Sequence, residues 1–162
     1  MQKIERAKLL MVAQKLRENN AVVATAESCT GGWIGQAFTS LPGSSSWFDC
    51  GFITYSNESK ERMLGVKRKT LTEHGAVSKQ VVTEMAEAVL GNSQASISVA
   101  TSGIAGPDGG SVEKPVGTVW IAWAKRGAAT RAEKFVFSGD RESVRKQAVN
   151  NALSGILQIL SC

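Results

Sequence analysis

The feature that most constrains the fold is a short apolar run, Ala21–Ala26, that directly follows a segment with helical periodicity. Small and β-branched residues without polar alternation are typical of a strand buried on both faces of a sheet. Ser96–Ala100 repeats the pattern after another helical segment. Because strands and helices alternate along most of the chain, the sequence predicts a layered α/β domain with helices on both faces of a mixed sheet.

The other elements follow from periodicity, capping residues and turn residues. Asn57 is the predicted N-cap of a helix that stops at Gly65, and Ser78 and Asp140 precede two longer helices. We expect helices over about 3–18, 33–38, 57–64, 78–91 and 140–160, and further strands over 47–55, 116–124 and 131–137. The result is one α/β/α domain spanning residues 1–162, with a mixed sheet of about five strands and no internal repeat.

The charge of the chain argues against a nucleic-acid partner. Nineteen Lys and Arg residues against 14 Asp and Glu give a net charge of +5, but the basic residues are spread along the chain. A nucleic-acid-binding surface usually clusters its basic residues with interleaved aromatics. A small anionic ligand fits this charge equally well.

The cysteines and the hydropathy pattern indicate the compartment. Cys29, Cys50 and Cys162 form no CxxC pair and leave an odd number, so neither a disulfide framework nor a zinc site is expected. No run of about 18 apolar residues predicts a membrane span, and the amphipathic N-terminal segment lacks the features of a signal peptide. We therefore expect a cytoplasmic protein with no membrane partner.

Ser28 is the first candidate for chemistry. It follows the strand at Ala21–Ala26 and precedes Gly31 and Gly32, at the start of a predicted helix. Main-chain N–H groups converge at such a turn and favour negative charge. The alternative is an ordinary helix cap followed by glycines that fit a tight turn.

A serine nucleophile needs a base, and two residues are candidates. His74 is the only histidine, and its position next to Gly75 favours a capping or loop-packing role over that of a base. Lys60 stands five residues after Tyr55, at the end of a predicted strand, so both can lie at one edge of the sheet. A lysine with a lowered pKa can act as the base of a serine nucleophile. Spacing alone leaves open that Lys60 is a solvated surface residue.

Two further features suit an anionic ligand. Glycines and Ser102 follow the strand at Ser96–Ala100, where main-chain amides can approach a phosphate or carboxyl group closely; the segment includes Gly103 and Gly106. Arg141 and Arg145 lie four residues apart on the last helix and can clamp a phosphate. A glycine loop without a ligand and two solvated arginines are the alternatives.

Taken together, these segments resemble the CinA C-terminal-domain family over nearly the whole chain. The matching segments are 26–32 (AESCTGG), 51–57 (GFITYSN) with Lys60, 74–78, 102–110, 114–119 and 138–141. The resemblance implies hydrolysis of the carboxamide of nicotinamide mononucleotide, without metal or cofactor, in pyridine-nucleotide recycling. It implies Ser28 as nucleophile with Lys60 and Tyr55 beside it. We expect Thr30, Gly31, Gly32, Ser102, Gly103, Gly106 and Arg145 to contact the substrate.

The resemblance leaves several readings open. Many family members carry an additional N-terminal domain, for which 162 residues leave no room, so the chain resembles the stand-alone form. One alternative is a catalytically silent paralogue that binds a pyridine nucleotide, and another is a Ser-Lys amidase for a different small amide. We also expect a homo-oligomer whose size the sequence does not specify.

Overall fold

The computed structural model describes residues 4–161 and contains a five-stranded sheet between two layers of helices. The helices of these residues are α1 (Arg6–Glu18), α2 (Trp33–Thr39), α3 (Asn57–Leu64), α4 (Arg68–His74), α5 (Lys79–Gly91) and α6 (Arg141–Leu160). The strands are β1 (Val23–Glu27), β2 (Phe48–Ile53), β3 (Ile97–Gly103), β4 (Thr118–Lys125) and β5 (Arg131–Val136). Within the described residues, no helix combines the length and apolar character that a membrane crossing requires.

The sheet is mixed, with strand order β2-β1-β3-β4-β5. β1 runs parallel to both of its neighbours, whereas β3, β4 and β5 pair in an antiparallel manner. The carboxyl ends of the three parallel strands therefore meet at one edge, which we call the carboxyl edge. Ser28 follows β1 there, Thr54 follows β2, and Ser102 lies at the end of β3. The predicted α/β/α fold with a mixed five-stranded sheet is confirmed.

Each face of the sheet carries its own apolar core. On one face α1, α2 and α6 bury large side chains that include Phe38, Trp47 and Trp123. On the other face α3, α4 and α5 cover smaller strand residues such as Ala26 and Ala100. β1 is buried along its whole length, as expected for a central strand enclosed by both layers.

Some boundaries differ from the sequence predictions. Ser56, and not Asn57, caps α3, because its hydroxyl accepts a 3.0 Å hydrogen bond from the N–H of Ser59. Helix α4 was not predicted; of its residues only Thr70 and Leu71 are buried, so it carries no helical stripe. The first helix was predicted from residue 3, which lies outside the described residues, and α1 starts at Arg6.

The glycine-rich loop begins later than predicted. Ser102 and Gly103 belong to β3, where Gly103 pairs with Val119 of β4. A Cβ atom on Gly103 would lie 2.6 Å from Cγ2 of Val119, so the strand pairing itself requires glycine here. Gly106 instead has a φ of +82°, which suits a true loop glycine.

A substitution at Gly155 tests how α6 packs on the sheet. A Cβ atom on Gly155 would overlap the indole ring of Trp123, whose Nε1 donates to the carbonyl of Ala152 at 2.9 Å. We expect Gly155→Ala to lower the free energy of unfolding by about 1–3 kcal/mol in urea denaturation. Gly91→Ala, where a Cβ atom meets nothing within 4 Å, should be neutral or stabilising. Equal stability of the two variants would contradict this packing.

Candidate active site

Ser28 lies at the carboxyl edge in a tight turn. Its N–H donates to the carbonyl of Thr101 at 3.1 Å, and its carbonyl accepts from the N–H of Gly31 at 3.0 Å. These two bonds hold the main chain of the serine on both sides. The side chain is largely buried, with 7% of the residue exposed. Its hydroxyl faces the helical layer that contains α3 and meets Nζ of Lys60 at 3.1 Å.

Lys60 brings a buried amine to that hydroxyl. The Ser56 cap starts α3 directly after β2, so the lysine side chain extends back beneath the end of the strand. Only 1% of Lys60 is exposed. Its Nζ donates to the carbonyls of Thr54 at 2.8 Å and Tyr55 at 3.0 Å, in addition to Ser28. Three acceptors thus surround an amine that has three hydrogens when it is protonated.

The same geometry suits the neutral amine. The two carbonyls accept hydrogen bonds only, so the two N–H groups of a neutral amine remain on Thr54 and Tyr55. The lone pair of the nitrogen then faces the hydroxyl of Ser28. Burial lowers the pKa of Lys60 below its ordinary value, against the weaker opposing effects of Cys29 and Glu58. The arrangement is therefore able to take a proton from the serine hydroxyl.

Glu27 holds the inner side of the turn at residues 28–32. Its carboxylate is buried and accepts from the hydroxyl of Thr30 at 2.7 Å and from the N–H groups of Ile34 at 2.9 Å and Gly35 at 3.1 Å. The hydroxyl of Thr25 adds a longer contact of 3.3 Å. The sequence offered no local signal for this role, because Glu27 lies outside the N-cap and first-turn positions of α2, which begins at Trp33 with Gly32 as its N-cap.

The two arginines that were predicted to act together hold different segments. Arg145 donates from Nε to the carbonyl of Cys29 at 3.0 Å and from Nη2 to that of Thr30 at 3.1 Å. Arg141 donates to the carbonyl of Gly106 at 2.7 Å. The helix face that carries both arginines therefore contacts two segments. One is the turn at residues 28–32, which we call the serine turn, and the other is the glycine loop at Gly106.

Tyr55 and His74 differ in their relation to Ser28. Tyr55 supplies its carbonyl to Lys60, while the residue as a whole is 63% exposed and its hydroxyl lies 3.4 Å from Nη2 of Arg141. His74 ends α4, and its carbonyl accepts from Nζ of Lys114 at 2.7 Å. Lys60, and not His74, is thus the basic side chain that contacts the serine hydroxyl.

The predicted substrate contacts occupy three kinds of position. The hydroxyl of Thr30 is buried between Glu27 and Thr101, 2.8 Å from the latter hydroxyl. Gly31, Gly32 and Arg145 line a cavity of about 340 Å³ beside the turn. Ser102, Gly103 and Gly106 lie at the end of β3 and in the loop after it. Their contacts with a substrate stay predictions.

A larger cavity of about 510 Å³ opens beyond the end of β3. Its wall carries charges of both signs and one large aromatic ring, from Lys79, Lys114, Lys134, Glu73, Glu113 and Trp120. Trp120 pairs with Ser102 across the β3–β4 ladder and packs against the core on the α5 face, the side from which Lys60 reaches Ser28. This cavity is therefore on the same face of the sheet as the serine and lysine.

The buried amine should make stability depend on pH. Because the pKa of Lys60 is lowered in the folded protein, the unfolded chain binds more protons between that pKa and about 10.4. The contribution of Lys60 to the free energy of unfolding therefore rises with pH across this window and is lowest below it. We expect the stability of the wild type relative to Lys60→Met to increase as pH approaches about 10.4, measured by urea denaturation. A difference that is constant or falls with pH would contradict burial of the charge.

Comparison with known proteins places the chain among its relatives. It is 53% identical to "Nicotinamide-nucleotide amidohydrolase PncC" of Escherichia coli (strain K12) over 147 residues, which cover 91% of this chain and 89% of that protein. A Pseudomonas putida protein of the same name is 52% identical and is covered to 92%. A longer "CinA-like protein" of Akkermansia muciniphila is 51% identical, with 34% of its length matched.

Solved structures and a family model agree with these relatives. The crystal structure of "competence/damage inducible protein CihA" from Agrobacterium tumefaciens superposes with a TM-score of 0.94 at 39% identity, over 100% of both chains. The family model described as "CinA C-terminal domain" matches residues 6–160. The chain therefore belongs to the CinA C-terminal domain family.

Proposed function

We propose that the protein hydrolyses the carboxamide of nicotinamide mononucleotide to nicotinate mononucleotide and ammonia, with Ser28 as nucleophile and Lys60 as base. The observation that carries this proposal is the 3.1 Å contact between the buried amine of Lys60 and the hydroxyl of Ser28. The substrate comes from the names of relatives that are 52% and 53% identical. A place in pyridine-nucleotide recycling follows from the same substrate.

The first half of the reaction forms an ester on the serine. Neutral Lys60 takes the proton of the Ser28 hydroxyl while the oxygen attacks the carboxamide carbon. The carbonyl oxygen gains negative charge, which the Tyr55 hydroxyl and N–H groups of the turn at 28–32, other than those of Ser28 and Gly31, stabilise; one such donor is worth about 10²–10³ in kcat. The protonated lysine then gives its proton to the nitrogen of the substrate, the C–N bond breaks, and ammonia leaves.

The second half restores the enzyme. Lys60, neutral again, takes a proton from water as the water oxygen attacks the ester carbon. The bond to Ser28 breaks, the proton on Lys60 returns to the serine oxygen, and the product leaves as a carboxylic acid that gives its proton to the solvent. One water is consumed and one ammonia released for each turnover. The carbonyls of Thr54 and Tyr55 keep Lys60 in the same position during both proton transfers.

The cavity on the same face suits the rest of a nucleotide. Three lysines outnumber the two glutamates on its wall, so its formal charge is positive, and Trp120 offers an apolar surface. A phosphate needs cationic or N–H donors, and a ribose packs against apolar surface. We propose that the ribose phosphate extends from Ser28 past Ser102 into this cavity.

Removing either member of the pair tests the mechanism. We expect Ser28→Ala and Lys60→Met each to lower kcat for ammonia release from nicotinamide mononucleotide by at least about 10³-fold, because the two side chains act in one step. Ser98→Ala is the matched control, since it also removes a buried hydroxyl, one that donates to the carbonyl of Ala86 at 2.6 Å. Full activity in Ser28→Ala would overturn the proposal.

The pH dependence of turnover tests the role of the lysine. Only the neutral amine accepts a proton, and burial lowers the pKa of Lys60. We therefore expect kcat/KM to rise with pH along a limb whose midpoint lies below the ordinary lysine value of about 10.4. The residual activity of Lys60→Met should lack this limb. A wild-type activity that falls as pH increases from 6 to about 9 would contradict a lysine base.

The two alternatives predict different outcomes of the same assays. A silent paralogue would bind nicotinamide mononucleotide in calorimetry and release no ammonia. An amidase for another substrate would release ammonia from a different member of a panel of small carboxamides, still dependent on Ser28 and Lys60. A homo-oligomer remains a prediction that sedimentation velocity can test.

A further inference from the structure

Arg145 donates hydrogen bonds from one edge of its guanidinium group to main-chain carbonyls of the serine turn. Nε and Nη2 form that edge, and they donate to the carbonyls of Cys29 and Thr30. The same edge is one that arginine offers to phosphate and carboxylate groups in bidentate contacts. The guanidinium also lies over the ring of Trp33, with Cζ 5.3 Å from the ring centroid. Its position is thus set by three contacts within residues 29–33.

The serine turn has an unusual backbone that needs such support. Gly31 and Gly32 both have positive φ values, +58° and +96°, so the chain reverses sharply between β1 and α2. The reversal leaves the carbonyl of Cys29 outside the ladders of helix and sheet, and Arg145 donates to it. A buried carbonyl without a partner is costly, so this contact stabilises the observed path of the chain.

Opposite charges hold the two sides of the turn. Glu27 accepts hydrogen bonds on the inner side from Thr30 and from the first turn of α2. Arg145 donates on the outer side, so the carbonyl and the hydroxyl of Thr30 are bound by different charged groups. Ser28 therefore stands on a segment that is fixed between an anion and a cation.

We propose that Arg145 is a positioning residue for Ser28 and does not bind the phosphate of the substrate. With Glu27 it fixes the serine turn, so that the hydroxyl stays aligned with Lys60 and the turn amides keep their direction. The proposal rests on the proposed function for its assay. It reverses the role that the sequence suggested for Arg145.

A pair of substrates separates positioning from phosphate binding. We compare Arg145→Met on nicotinamide mononucleotide and on nicotinamide riboside, which lacks the phosphate. Positioning predicts a loss in kcat of about 10²-fold on both substrates, with KM changed less than about threefold. A phosphate ligand predicts a higher KM for the mononucleotide alone, and that result would overturn the proposal.

Arg126→Met is the matched control for loss of an arginine that binds carbonyls. Arg126 donates to the carbonyls of Ala95, at 2.8 Å, and Leu90, at the edge of the sheet opposite Ser28. We expect this variant to lose thermal stability and keep its kcat. If Arg145→Met lowers kcat no more than Arg126→Met does, Arg145 is merely structural and the proposal is wrong.

Arg145→Lys is a variant that keeps the positive charge and an aliphatic side chain of similar length. An ammonium still attracts a phosphate but lacks the planar pair of donors that spans two carbonyls. Positioning predicts that kcat stays low in Arg145→Lys. Recovery of wild-type kcat with lysine would contradict it.

Labelling by a fluorophosphonate gives a readout that does not depend on the natural substrate. The serine oxygen attacks the phosphorus of the reagent, the P–F bond breaks and fluoride leaves, so that an activated serine becomes a phosphonate ester; Ser28→Ala is the blank. We expect Arg145→Met to slow labelling about 10²-fold, because the hydroxyl of Ser28 loses its alignment while the carbonyls of Thr54 and Tyr55 still hold Lys60. Labelling without ammonia release in the wild type would reject the substrate and still test Arg145. A wild-type protein that shows neither labelling nor ammonia release would contradict the role of Ser28 as nucleophile and, with it, the role of Arg145.

Discussion

The site depends on one interaction, the contact between the buried amine of Lys60 and the hydroxyl of Ser28. An amine enclosed to this degree loses hydration, and only hydrogen bonds can compensate the loss. The carbonyls of Thr54 and Tyr55 supply them, and they can do so because the main chain leaves β2 at this point. The fold thus tolerates a costly group where it can act chemically, a common property of active sites.

The sheet order explains why these groups meet. Parallel pairing of β1 with β2 and β3 places three strand ends at one edge, which is where ligands bind in many α/β proteins. The serine comes from the end of β1, and the carbonyls that orient the lysine come from the end of β2. Arg145 contacts the same turn from α6, which belongs to the helical layer on the other face of the sheet from α3. The turn is therefore held by both layers of the domain.

The layers and the central residues could be predicted from the sequence because short stretches of the chain indicate them. Ala21–Ala26 and Ser96–Ala100 are short apolar runs, and both contain buried strands. The pairing of Ser28 with Lys60 is not local, since 32 residues separate them. The position of Lys60 after Tyr55 made it a candidate base, and the family resemblance then joined it to Ser28. Helix α4 was not predicted because so few of its residues are buried that no apolar periodicity marks it. The contacts of Arg145 could not be predicted either, since helical spacing does not say which carbonyls a guanidinium will meet.

The most direct test of the account is the titration of Lys60 itself. With ¹³C at Cε, NMR can follow this amine from pH 6 to pH 11, and Lys60→Met identifies its signal. The account predicts a midpoint clearly below the ordinary lysine value of about 10.4, and a shift of that midpoint in Ser28→Ala, because the hydroxyl is one of its three partners. A midpoint at or above the ordinary value, unchanged in Ser28→Ala, would contradict the claim that Lys60 is the base.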